Sequence, residues 1–248
     1  MSQRIQDYML ASASAGREVV AAGPFTVTIS PHDPLVYINY AIPSAGADPT
    51  PADIAALEEA FVSRSRTPRL EYLPGLAPLV EPALVAAGFT VTDRLPLMEC
   101  PPGAVADLPL PPGFELVTPA TDDELRDMLS AQHEAFGEPP PTPAHLEKAR
   151  ASGGIRVLAR TLDGEPAGGG VAVAVKDGIS EVAGIAVRPA FERRGIGAAI
   201  TAHLTRAAHT AGATIVFLTP GGDAQERVYT RVGYRRTDSV LFLTKEST

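Results

Sequence analysis

The second half of the chain alternates short apolar runs with stretches of helical spacing. IRVLARTL (155–162), PAGGGVAVAVK (166–176) and ISEVAGIAV (179–187) are bounded by the polar turns DGE and KDG and predict three successive strands. FELVTPA (114–120), TIVFLT (214–219) and SVLFLTK (239–245) read the same way. Between them, TDDELRDMLSAQHEAF predicts a helix with Thr121 as N-cap and Glu124 three positions on, a reciprocal capping pattern. Further helices are expected near 143–151, from about Gly197 to Ala211 and from about Ala224 to Val232. The order is β-α-α-β-β-β-α-β-α-β. A hairpin run preceding a crossover makes this an α/β chain with a mixed, α+β sheet rather than a doubly wound one.

CPPGAVADLPLPPG (100–113) has five prolines and no period, so residues 100–112 are expected to link two halves, 1–99 and 113–248. The halves echo one another. GFTVTDRLPLMEC (88–100) and GYRRTDSVLFLTK (233–245) place Gly, Thr and Asp in register at an offset of 145 residues. Upstream, PRLEYLPG parallels TIVFLTPG, and the helical stretches LAPLVEPALVAAG and DAQERVYTRVG both run into that glycine. Shared element order favours an internal duplication.

Composition narrows the function classes. A chain of 248 residues, 45% apolar and 20% charged, can bury one large core or two smaller ones. No apolar run approaches a membrane span and the N-terminus lacks a sustained apolar stretch, so a cytoplasmic protein is expected. A net charge of −8 argues against nucleic acid. It is compatible with a cationic substrate or with ordinary solubility charge. Cys100 is the only cysteine and the five histidines form no ligand cluster, so no metal is expected.

The stretch VAGIAVRPAFERRGIGAAI (182–200) joins an apolar strand to a glycine-punctuated turn and an alanine-rich helix. It lacks the Gly-Lys-Ser/Thr of a P-loop. It also lacks the third glycine of a dinucleotide fingerprint, where Ile200 stands. What remains is a helix start whose first N–H groups are accessible to anionic oxygens, with Arg193 and Arg194 as countercharge, or simply a tight strand-to-helix turn.

Val187-Arg-Pro189-Ala-Phe-Glu192-Arg-Arg-Gly195-Ile-Gly197 resembles the acetyl-CoA loop of the GCN5-related N-acetyltransferases, the GNAT family. Glu192 stands where that pattern usually has Gln or Arg. Downstream, AQERVYTRVGY resembles the family's second helix, with Tyr229 four residues before Gly233. The resemblance covers roughly 113–248 and implies a GNAT fold there, with a second, degenerate GNAT-like half before it. It also implies acetyl-CoA as cosubstrate, without a metal. Gly195, Ile196, Gly197 and Ala198, with Arg193 and Arg194, would hold its phosphates. Ile185, Ala186 and Val187 would hold the pantetheine arm, with the Ile185 N–H facing the thioester oxygen. Asp223 takes the place of a cofactor-contacting Asn.

For transfer, Tyr229 matches the general acid for the departing thiol, its alternative being an amphipathic residue at a helix–sheet contact. Glu181 is placed as a general base or as a carboxylate at the wet start of a strand. Glu134, Phe136 and Glu138, in the loop after the first helix, would contact the acceptor. The resemblance thus implies an N-acetyltransferase acting on a small-molecule or peptide amine. The alternative is a non-catalytic acyl-CoA-binding regulatory or interaction protein. Nucleic acid and membrane are not expected as partners; a homodimer is the one protein partner considered. The first half is expected to bind no acetyl-CoA. Leu84 occupies the place of Tyr229, and Ala41–Leu57 has one glycine, Gly46, with Asp48, Asp53, Pro49 and Pro51 where a phosphate cradle would lie.

Overall fold

The computed structural model describes residues 2–246. The first half runs α1 (Ser2–Ser14), β1 (Glu18–Ala22), β2 (Phe25–Ile29), β3 (Tyr40–Pro43), α2 (Pro51–Val62), β4 (Arg69–Tyr72), α3 (Val80–Ala86) and β5 (Thr90–Cys100). The second runs β6 (Phe114–Val117), α4 (Asp122–Phe136), α5 (Pro143–Ala151), β7 (Ile155–Thr161), β8 (Pro166–Ala172), β9 (Ile179–Val187), α6 (Ile196–Thr210), β10 (Ile215–Leu218), α7 (Asp223–Val232) and β11 (Arg235–Thr244). Every element expected in the second half is present in the expected order, although β8 stops at Ala172, short of Lys176. Among the described residues no helix is long and apolar enough to cross a membrane.

The chain forms two compact units, and they are not cut where the proline-rich stretch suggested. One contains the residues up to Leu97 together with those from Asp238 on; the other is Met98–Thr237. Leu241–Thr244 of β11 pair antiparallel with Tyr72–Arg69 of β4, so the closing strand belongs to the first unit. Met98–Cys100 of β5 pair antiparallel with Leu218–Val216 of β10, in the second. Alternation identifies a strand but not the edge it joins. Nor is 100–112 a free linker. Ala106 donates its N–H to Val232 O at 2.9 Å, Arg206 donates to Ala106 O, and Val105 and Leu108 pack on the core of the second unit.

In the first unit, β1, β2 and β3 form an antiparallel meander, and β3 then pairs parallel with β4. Buried Gln6 ties α1 to this sheet, donating to Pro43 O and accepting from the Leu73 N–H, both at 3.0 Å. α2 begins with a complete capping box: Thr50 Oγ1 accepts the Asp53 N–H at 3.2 Å and Asp53 Oδ2 accepts the Thr50 N–H at 2.8 Å.

In the second unit, β6, β7, β8 and β9 are antiparallel neighbours, and β9 pairs parallel with β10. The glycines of PAGGG let helices approach both faces of β8. A β-carbon on Gly169 would lie 2.6 Å from Met128 Cγ on α4; one on Gly170 would lie 3.2 Å from Ile200 Cγ2 on α6. α4 is stopped cleanly at both ends. Thr121 and Glu124 form the expected capping box, and Gly137 supplies the left-handed C-cap at φ 69°.

Candidate active site

The site begins with a seam in the sheet. β9 runs to Val187, but its register with β10 covers only Ile179–Glu181, so the two parallel strands part beyond Glu181. On the other side, β8 follows β9 to Val187. That pairing contains a bulge: Gly169 opposes Ala186 and Val171 opposes Ala183, leaving Gly184 and Ile185 against Gly170. Gly184 has φ 61°, and a β-carbon there would sit 2.7 Å from Gln132 Nε2, so glycine is required twice over. Arg188 donates its N–H to Ala167 O across the β8 side at 2.9 Å. Since N–H groups alternate in direction along a strand, those of Val187 and Ile185 turn the opposite way, into the seam.

The loop after β9 leads into α6. Arg193 has φ 60° and Gly195 has φ 92°, and no side chain caps the helix start. The first N–H groups of α6 are therefore open to a ligand. Gly197 is informative because the protein itself does not demand it. Its φ is not left-handed, and a β-carbon would make ordinary contact with Val187 Cγ2 at 3.6 Å. Glycine inside a helix costs ~1 kcal/mol relative to alanine, so its place here fits a bulky group lying against the backbone.

α7 forms the opposite wall. Ala224, Gln225, Val228 and Arg231 recur at helical spacing and, with Tyr229, face a cleft of about 530 Å³. The same cleft is lined by Ile185, Val187, Arg193, Gly195, Ile196, Gly197 and Ala198. Tyr229 is buried, its ring 6.2 Å from that of Tyr234, and burial pushes its phenol up to about 12. Tyr234 is anchored by a 2.7 Å hydrogen bond with Thr205 of α6. Thus the strand seam, the glycine loop and Tyr229 meet in one place. The chemistry fits a ligand with polyanionic and thioester ends: main-chain donors at both, a cation at Arg193, and a protonated phenol. Glu192, also in the lining, is the one group that opposes an anion.

Other expected residues lie elsewhere. Arg194 packs over the Phe191 ring at 5.5 Å and donates to Ala190 O at 3.2 Å, outside the cleft lining. Ala186 is buried in the β8 pairing, so only its backbone can contribute. Asp223 opens α7 and borders a separate groove on that helix. Glu181 is partly buried at the last paired position before the seam, across from Val173, whose N–H donates to the Glu181 main-chain carbonyl at 2.8 Å. It does not line the cleft. Glu134 is taken up by Arg188 at 2.7 Å, Glu138 lies 3.5 Å from His133 Nδ1, and Phe136 is 55% exposed. These three do not converge on one pocket. Sequence reasoning missed Arg231, Gln225 and Val228, although their spacing around Tyr229 was a legible helical stripe.

Residues 123–234 match the acetyltransferase (GNAT) family. The matched segment spans α4 through Tyr234 and contains the seam, the glycine loop and Tyr229. No curated protein sequence matches the chain. Among solved structures, the chain is similar to a GCN5-related N-acetyltransferase from Kribbella flavida. The two are 28% identical, the match covers 100% of this chain and 96% of the other, and the TM-score is 0.84. A tandem GNAT protein from the clavulanic acid biosynthesis pathway matches over 90% of this chain and 78% of its own, at 14% identity and TM-score 0.66. The latter shows a shared GNAT fold.

Proposed function

We propose that the protein is an acetyl-CoA-dependent N-acetyltransferase that moves an acetyl group to a primary amine by direct attack on the thioester. The observation that carries this reading is the seam beyond Glu181, where Ile185 and Val187 share a cleft with the uncapped start of α6 and with Tyr229. Acetyl-CoA would supply the activated acyl group. The N–H groups of Gly197 and its neighbours, with Arg193, would take its phosphates, and the exposed edge of Ile185–Val187 its pantetheine arm. The Ile185 N–H would donate to the carbonyl oxygen as negative charge gathers there. Tyr229, protonated throughout the physiological range, would give its proton to the departing sulfur. Glu181, at the last paired position before the seam, would draw a proton from the incoming amine, directly or through water.

The first half supports this reading as a degenerate GNAT-like scaffold. Its order from β1 to β5 repeats that from β7 to β11: meander, helix, parallel strand, short helix, long strand. Gly88 and Gly233, which follow the two short helices, both have positive φ. The helix corresponding to α6 is α2. Its start is closed by its own Thr50 and Asp53, and hydrogen bonding to Thr50 holds the Asp53 carboxyl below its usual range. A carboxylate already occupies the place of a phosphate.

Calorimetry with acetyl-CoA, followed by an amine screen monitored by free-thiol release, tests the reading. One bound acetyl-CoA per chain and turnover with an amine are expected. Absence of binding overturns it, and a stoichiometry of two overturns the scaffold role of the first half. Glu181→Gln should remove the alkaline-going rise in kcat/KM; an unchanged profile would dismiss Glu181 as base.

A further inference from the structure

A second cleft, of about 280 Å³, lies in the same unit between α4, α5 and the sheet. Its apolar part includes Met128 and Leu129 of α4, with Val171 and Val173 below them. These two valines locate it. Val171 is the register partner of Ala183, and the next pair sets Val173 against Glu181, so the cleft adjoins the stretch of β9 that ends in the Gly184 bulge. Gln132, which holds the Gly184 carbonyl, also lines it.

Beside the neutral Gln132 and Ser152, the ionisable lining is all basic. Lys148, Arg156, His133 and His145 line the cleft, and no carboxylate does, in a chain whose net charge is −8. Neither Lys148 nor Arg156 forms an ion pair among the described residues. The Arg156 bonds to Ser152, 3.1 Å to O and 2.9 Å to Oγ, come from a single terminal nitrogen, leaving the rest of its donor fork uncommitted. Burial depresses this guanidinium, which marks a cation partly removed from water without a countercharge. His145 Nδ1 accepts the Thr142 N–H at 3.1 Å, so its Nε2 carries the proton and is a donor.

We infer that this cleft binds the carboxylate of the acceptor, and hence that the acceptor is an amino acid or a similarly compact amine bearing a carboxylate. The inference rests on the acetyl-transfer reading above. Arg156 and Lys148 take the carboxylate, the apolar wall takes the side chain, and the amine end points along β8 toward Glu181 and the bulge. The two ends of the site thus have opposite charge, matching an amino-carboxylate and disfavouring a plain polyamine.

The test compares L-leucine, L-phenylalanine and L-methionine with amines lacking only the carboxylate, by thiol release, in the wild-type protein, Arg156→Gln and Lys148→Met. The carboxylate-bearing acceptors should have at least tenfold higher kcat/KM. Each variant should lose roughly 10–100-fold on them while leaving the plain amines and acetyl-CoA affinity unchanged. Equal use of both series, or equal losses on both, overturns the inference. Calorimetric titration of N-acetyl-L-leucine and N-acetyl-L-phenylalanine into the CoA-saturated protein separates the two readings. Binding that Arg156→Gln abolishes, without any turnover, keeps the carboxylate site and removes the transferase reading. Turnover of plain amines with no such binding does the reverse, and no binding with no turnover removes both.

Discussion

Gln132 Nε2 donates a 2.6 Å hydrogen bond to the carbonyl oxygen of Gly184, the same peptide group whose other end is the Ile185 N–H facing the seam. A donor on the carbonyl side polarises the peptide and makes its N–H the stronger donor in turn. Gln132 is nearly buried, which keeps that bond out of competition with water.

Gln132→Met keeps the volume and removes the donor. Turnover is expected to fall by roughly tenfold, less than the 10²–10³ typical when an oxyanion donor is lost outright. Acetyl-CoA affinity should stay within about threefold, because the proposed phosphate contacts at Gly197 and Arg193 would be untouched. The diagnostic readout is the ¹³C-labelled thioester carbonyl stretch of bound acetyl-CoA, which should shift toward its value in water. A fall in affinity with an unchanged stretch would make Gln132 a mere tether between α4 and β9.

Gly197→Ala should stabilise the protein and weaken the ligand. The added methyl meets only Val187 at ordinary distance and gains helix propensity of up to ~1 kcal/mol, a rise of a few degrees in Tm. Gly197→Glu should abolish acetyl-CoA binding, since a carboxylate would sit where phosphate is attracted. Thermal denaturation and calorimetry on the same samples read both effects, and unaltered affinity in the Glu variant would remove the loop from the site.

Tyr229→Phe should lower turnover by roughly 10²–10⁴-fold with little change in acetyl-CoA affinity, because the ring's packing against Tyr234 survives. With its phenol near 12, Tyr229 remains an acid across the accessible range. The wild-type rate should therefore show no alkaline fall from this group below about pH 11. A loss of less than about threefold would assign the proton to another donor.

Glu71, on β4 across from Phe242, is pushed up to about 7 by burial, with Arg69 and Arg17 pulling the other way. Its protonated form is favoured in the folded state, so the linked stability is full below the unfolded value near 4.5. It is lost as pH rises from there through 7. Glu71→Gln should accordingly stabilise the protein by roughly 1–3 kcal/mol at pH 8 and by little at pH 4.5. Denaturant melts at the two pH values check this, and an equal effect at both would rule out the titration.

Much of the second half was legible because its signals are local. Thr121 with Glu124, the glycine after each of α4 and α7, and the DGE and KDG turns each fix a boundary through backbone chemistry that needs no partner. The Gly195–Gly197 loop was readable for the same reason. What stayed hidden depends on partners distant in sequence. The Gly184 bulge appears in the sequence only as a glycine within an apolar strand, and its consequence needs β8 and Gln132. Glu134 was read as a recognition group, yet Arg188, fifty-four residues later, takes it. In the first half, the apolar stripe of α1, Ile5, Tyr8, Met9 and Ala13, is broken by Gln6, whose burial depends on Pro43 and Leu73 far along the chain, and β1 is largely exposed.

Residues 113–248 alone should be insoluble or inactive. Such a fragment lacks Met98–Cys100, leaving one edge of β10 without its partner, and it lacks Ala104–Leu108 from its core; its own last strand would have no β4 to join. A soluble fragment with full turnover would show that the exchanged segments are dispensable.

The exchange of closing strands also sets a timetable for the newborn chain. β4 leaves the ribosome about 170 residues before Leu241–Thr244, the segment that covers its edge. At ordinary elongation rates of about 5–20 residues per second, that edge waits roughly ten to thirty seconds for its partner. During that interval it can template the wrong strand, including β4 of a neighbouring nascent chain on the same message. Slow translation of the second half should therefore lower the yield of native protein, whereas ordinary duplicated domains, each finished before the next begins, gain from it.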